Sequence, residues 1–145
     1  MPEKQKPINS IQVIFTLRMV NRKINAVLRR LKKIPSVKSV YLFGSYARGE
    51  ERPYSDIDLC AITGRDIPES IEAEILSNSG DEIDVSVIWD LPPVIRVRVF
   101  REGRQLFARK GSGRELMDIQ RQVVKSYLDL QPMIRMYSKR VLGIA

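Results

Sequence analysis

Two stretches of the chain distribute their side chains as a strand buried on both faces would. In 55–63, SDIDLCAIT, Ile57, Leu59 and Ala61 share one face, while Asp56, Asp58, Cys60 and Ile62 share the other, because successive side chains of a strand point to opposite sides. A face meant for water stays polar along its length. This one is acidic at its entry end and apolar from Cys60 onward. The segment 82–89, EIDVSVIW, repeats the plan: Ile83, Val85 and Val87 lie opposite Asp84, Ser86 and Ile88. Both segments are therefore expected to be covered on two sides, each with carboxylates at its start.

The rest of the chain supplies the covering. Ser10 is placed to N-cap a helix over 10–33, in which Val20, Ile24, Val27, Leu28 and Leu31 recur at helical spacing. Pro35 ends it, and 37–43 reads as a strand closing at Gly44. Ser45 is expected to open a short helical turn that finishes near Gly49. After the strand at 55–63, Gly64 and Pro68 lead into a helix with Ile71 and Ile75 inward. Pro92 and Pro93 start another helix through 102, and Gly103 turns the chain into a short segment at 105–108. Two terminal helices are predicted at 114–130 and 132–142, separated by Pro132. No repeat or linker divides the chain. We expect one domain over 1–145, with 1–9 flexible and 113–145 a helical tail. Its class is α/β (α+β), a small mixed sheet flanked by helices.

Composition narrows the chemistry. The chain has 145 residues, one cysteine (Cys60) and no histidine, so it has no internal disulfide, no all-cysteine metal site and no histidine acid–base catalysis. A metal here would be held by oxygen, which favours Mg²⁺, Mn²⁺ or Ca²⁺ over zinc. No apolar run is long enough to cross a bilayer, and the start MPEKQKPINS has no apolar signal region. We expect a cytoplasmic protein. The net charge of +8, from 25 Lys and Arg against 17 Asp and Glu, suits an anionic partner, although charge alone equally fits a basic surface kept for solubility.

The acidic strand ends carry the strongest functional signal. Asp56 and Asp58 would have Cα atoms roughly 6.5–7 Å apart, at about 3.3 Å of rise per residue. Carboxylates at that spacing can converge on a divalent cation, and without one they raise each other's pKa. If the two strands pair side by side, Asp84 joins them, and Glu82, on the same strand face as Asp84, is the rival for third ligand. Three carboxylates make an oxygen-only site suited to two Mg²⁺ ions. Gly44-Ser45 would supply the other half. A glycine leaving a strand lets the backbone turn sharply, the amides of the following turn favour anions, and the Ser45 hydroxyl adds a donor. A bare Asp-x-Asp or Gly-Ser is commonplace; the two together are not.

Gly44-Ser45, Arg48-Gly49 and Asp56-Ile57-Asp58-Leu59 resemble the signature of the DNA polymerase β-like nucleotidyltransferases. Their spacing is similar to that of the minimal nucleotidyltransferases of bacteria and archaea. Asp84 falls where that family carries its third carboxylate, and 94–108, with Gly103, Leu106 and Phe107, looks like the family's tail. The Tyr127-Leu128-Asp129 and Pro132 region extends the resemblance nearly to the C-terminus. The resemblance implies transfer of a nucleoside monophosphate, AMP from ATP, to a hydroxyl with release of pyrophosphate. It implies Asp56, Asp58 and Asp84 as metal ligands and catalytic residues for two Mg²⁺ ions (Mn²⁺ in their place), and Gly44, Ser45 and Arg48 at the triphosphate. Minimal members commonly act as antitoxins that add AMP to a tyrosine of a small helical toxin, which implies such a partner here.

Two rival classes stand beside this one: a nucleotide- or toxin-binding module that no longer catalyses, and a basic nucleic-acid-binding protein. The second rests on charge alone and ranks last, since no recognition motif accompanies it. Two basic regions could meet a partner: 18–33, with seven Lys and Arg and no acid, and 96–110, with six against Glu102 alone. For the first, the solvated side of a helix is the simpler reading. Cys60 reads as a small packed hydrophobe, and Trp89 as core or rim packing ahead of stacking on a base. Met133, Ile134, Met136, Tyr137 and Val141 read as core or docking surface.

Overall fold

The computed structural model describes residues 10–47, 49 and 56–143, with side chains described from residue 21 onward. Helix α1 (Ser10–Lys32) leads into strand β1 (Ser39–Phe43), followed by β2 (Ile57–Ile62), α2 (Glu69–Leu76), β3 (Ile83–Val87), α3 (Pro93–Glu102), β4 (Arg104–Ala108) and α4 (Gly113–Val141). The four strands form one mixed sheet in the order β3-β2-β1-β4. β2 and β3 run parallel, joined by the α2 crossover that a parallel pair requires. β1 is antiparallel to both β2 and β4.

The alternation in β2 has the predicted consequence. Leu59 packs toward α1 beside Val27, Leu28 and Leu31, and Cys60 faces a second core with Val99 of α3 and Val123 of α4. Both β2 residues are fully buried. Burial also pushes the Cys60 thiol far above its usual range, so it packs as a small hydrophobe and carries no reactive thiolate.

Several elements differ from expectation. β1 starts at Ser39 because Pro35 and Ser36 are spent on a turn after α1. β3 ends at Val87, and Ile88–Asp90 forms a single 3₁₀ turn. The stretch at 105–108 belongs to a fourth strand, which shows little alternation because it is a sheet edge with a bulge opposite Val40 and Tyr41. The tail is one helix of 29 residues with Pro132 inside it. Proline removes one helical hydrogen bond. Here the Leu128 carbonyl that loses its donor belongs to an exposed residue, and Pro132 is exposed as well, so water can take the bond.

Arg109 ties the C-terminal end of α1 to the sheet. Its guanidinium donates to the carbonyls of Lys32 and Ile34 at 2.9 Å each and, through Nε, to Val37 at 2.9 Å. It also lies over the Phe107 ring at 5.3 Å. A cation at a helix C-terminus meets carbonyls that have no partner within the helix. Arg109→Ala is expected to cost about 2 kcal/mol, which lowers Tm by about 4–8 °C in a chain of this size. Arg109→Lys, which cannot form three bonds in a plane, restores only part of it. Thermal unfolding followed by circular dichroism reads both.

Candidate nucleotide and metal site

The site forms where β1 ends and β2 and β3 begin. Parallel pairing sets Asp58 directly beside Asp84, with Ile57 beside Ile83, so the two carboxyl-bearing Cα atoms stand on neighbouring strands about 4.8 Å apart. Asp58 is half-buried, while Asp56, just ahead of β2, and Asp84 are exposed. On its other side Asp58 pairs with Phe43. Gly44 follows with φ of 74°, and a Cβ there would lie 2.5 Å from Asp58 Oδ2. The turn backbone thus closes directly over the carboxylate. Ser45 stands next in the turn, half-buried. Arg48 lies outside the described residues.

After Gly44 the described residues 44–47 and 49 carry turn geometry, with the Gly49 amide donating to the Tyr46 carbonyl at 3.4 Å. Among the described residues, local amides of the turn and the Ser45 hydroxyl are the groups placed to attract an anion here.

Electrostatics isolate Asp58 as the stressed member. Burial, then Asp84, then Asp56 hold its carboxyl above the usual carboxylate range. The donors gathered here are all carboxylate oxygens, and the charge they share has no basic side chain bonded to it among the described contacts. A hard divalent cation fits that donor set. As the side chains stand, no three acids among the described residues are grouped around one ligand position. Glu82 is held elsewhere, ion-paired to Lys23 of α1. It precedes β3, so strand alternation does not hold it on the face of Asp84.

The matching of residues 22–112 by the polymerase beta nucleotidyltransferase family model takes in the whole sheet and all three aspartates. The chain belongs to this nucleotidyltransferase family. It is 28% identical over 99 residues to a candidate protein adenylyltransferase of Methanocaldococcus jannaschii, covering 68% of this chain and 76% of that one. A second candidate adenylyltransferase of that organism is 55% identical over 40 residues, 25% of this chain and 40% of its own. Among solved structures, a toxin–antitoxin with AMP-PNP aligns with TM-score 0.60 and 22% identity over 83% of this chain and 97% of the other. The MNT antitoxin complexed with tri-AMPylated HEPN toxin of Shewanella oneidensis aligns at 0.59 and 19%, over 86% and 98%. At these identities the structural likeness shows the shared nucleotidyltransferase fold.

Other residues nominated from the sequence have structural roles. Trp89 donates from Nε1 to the Thr63 carbonyl at 2.7 Å, with the guanidinium groups of Arg65 and Arg96 over its ring at 4.5 and 5.2 Å. Arg96 also donates to the carbonyls of Trp89 and Leu91, both at 2.8 Å. Arg96 and Arg109 are thus committed within the nucleotidyltransferase fold, which leaves the second basic region smaller than its sequence suggests. In the first, Lys23 holds Glu82 and Arg30 donates to Asn78 Oδ1 at 2.7 Å. The Lys23 and Arg30 pairings have no local sequence signal, because their partners lie about 50 residues away or more.

Proposed function

We propose that the chain is a metal-dependent protein adenylyltransferase that moves AMP from ATP to a hydroxyl of a partner protein, a tyrosine of a small helical toxin, in the cytoplasm where ATP and Mg²⁺ are available. The observation that carries the chemistry is the in-register pair Asp58 and Asp84 beneath the Gly44 turn. The protein acceptor is supported by the adenylyltransferase relatives and by the toxin–antitoxin neighbours.

The residues divide the work by charge. Asp56 and Asp58 would hold the cation on the triphosphate side, and Asp56, Asp58 and Asp84 together a second. Bound there, two Mg²⁺ ions, or Mn²⁺, supply neutralisation of the triphosphate and a lowered pKa for the acceptor hydroxyl. Ser45 donates to a β- or γ-phosphate oxygen, with Gly44 allowing the backbone to come close and Arg48 reaching the same phosphates. Asp84 orients the acceptor hydroxyl and takes its proton as the acceptor oxygen bonds to the α-phosphorus. The bond from that phosphorus to the bridging oxygen breaks, and pyrophosphate leaves with the electron pair.

The test is transfer of label from α-labelled ATP to protein, with pyrophosphate release measured in parallel. Asp84→Asn is expected to lower transfer by about 10²-fold or more. Glu82→Gln leaves transfer within about twofold, since it breaks an exposed ion pair worth roughly 0–1 kcal/mol. The opposite ranking would move the third ligand to Glu82. Binding of ATP without pyrophosphate release at any acceptor would reduce the chain to a nucleotide-binding module.

A further inference from the structure

One stripe of α4 begins in the core and ends in solvent. Leu116, Ile119, Val123, Tyr127, Leu130, Ile134, Tyr137 and Val141 follow one another at steps of three and four. At 100° per residue they fall within a band about 80° wide. Ile119 and Val123 are buried in the second core, and Tyr127 and Leu130 are half-buried. Further along the same band Ile134, Tyr137 and Val141 are 45%, 64% and 58% exposed. Pro132 falls on the opposite side of the helix, about 180° from the stripe, so it does not interrupt the ridge. Residues 131–141 thus carry a helix-packing surface past the edge of the domain, exposed among the described residues.

We propose that this end of α4 docks into an apolar groove rimmed by Asp and Glu on the protein that receives the nucleotide. The proposal rests on the reading above that the acceptor is a protein. Charge selects the occupant. From 130 to 143 there is no acidic residue, and Arg135, Lys139 and Arg140 flank the stripe. Two copies of the chain laid together here would bring six cations into contact without one carboxylate, on a chain already at +8, which costs stability through like-charge repulsion. An acidic rim gains from the same charges, while the stripe supplies anchors at i, i+3 and i+7 in the manner of a helix lying in a groove.

The probe is a photo-cross-linking phenylalanine analogue in place of Tyr137 in the full chain, expressed in cells of the source organism. It is combined with labelling of their extract by α-labelled ATP. The expected result is one protein that both cross-links at 137, through a segment shown by mass spectrometry to be rich in Asp and Glu, and carries the label. Ile134→Asp with Val141→Asp then lowers labelling of that protein at least tenfold at limiting concentration, chiefly through KM, while binding of a fluorescent ATP analogue is unchanged. Lys139→Glu with Arg140→Glu gives the same direction, and weakens the dependence of KM on salt. Loss of the cross-link in the Asp variants with no label on any protein supports the docking surface while removing the transferase reading. Full labelling by the Asp variants overturns the docking surface and leaves the transferase reading intact. Cross-linking only between copies of the chain, or stripe-dependent sedimentation with vesicles of 70% phosphatidylcholine and 30% phosphatidylglycerol, also overturns it.

Discussion

Asp58→Asn removes transfer, by about 10³-fold or more, and raises the melting temperature of the metal-free protein. The first effect follows from its place: Asp58 is the one carboxylate with Asp84 beside it, Asp56 two residues before it and the Gly44 turn over it. Losing a ligand that positions charge at the reacting phosphate removes several kcal/mol of transition-state stabilisation, at about 1.4 kcal/mol per tenfold. The second effect has the opposite sign because the same features strain the fold. Burial, Asp84 and Asp56 all raise the Asp58 pKa, so ionising it costs more in the folded chain than in the unfolded one. This contribution favours the fold below the ordinary carboxylate pKa of about 3.9 and is lost as pH rises through the raised folded value. In metal-free buffer the Tm of the wild-type chain should therefore fall relative to that of Asp58→Asn across that window, and added Mg²⁺ should narrow the gap at neutral pH. Calorimetry of both proteins with a chelator and then with Mg²⁺ measures this. A destabilised Asp58→Asn in chelator would mean that the carboxylate is structural.

Gly44→Ala is expected to destabilise the chain by about 1–3 kcal/mol and to lower transfer at least about 10²-fold. Two causes act together. The backbone is left-handed there, at φ of 74°, and the new methyl group would overlap Asp58 Oδ2. The carboxylate would have to leave its present position beside the turn, which is where the activity goes. Gly49→Ala separates the causes, because Gly49 has φ of 69° with nothing within 4 Å of its Cβ position. It should show the backbone cost and keep the activity. Equal losses of transfer in the two variants would show that the close approach to Asp58 is unimportant. Urea unfolding together with labelled-ATP transfer reads both substitutions.

The acidic strands were legible because a period of two is short-range: Asp58 and Cys60 share a face whatever the rest of the chain does. Asp84 as the neighbour of Asp58 required only that two doubly buried strands lie side by side, which the 20-odd residues of crossover between them allow. Arg109 was misread for the opposite reason. Its sequence neighbours place it in a basic run, whereas its bonds reach carbonyls 72 to 77 residues away. The edge strand β4 was hidden because it is half-exposed and five residues long. Pro132 suggested a break between two helices, and the helix runs through it because the carbonyl left without a donor, that of Leu128, belongs to an exposed residue where water can take the bond. Glu82 illustrates how sharply alternation ends with the strand. One residue before β3, its carboxylate is already paired with α1.

The reading of this chain as an enzyme depends on its three aspartates serving one metal-bound triphosphate. A crystal structure with Mg²⁺ and a non-hydrolysable ATP analogue tests that directly. Carboxylate oxygens of Asp56, Asp58 and Asp84 at about 2.0–2.1 Å from Mg²⁺, with the β- and γ-phosphates against Ser45, is the predicted result. Mg²⁺ held by phosphates and water alone, with Asp58 and Asp84 turned from it, would contradict the account.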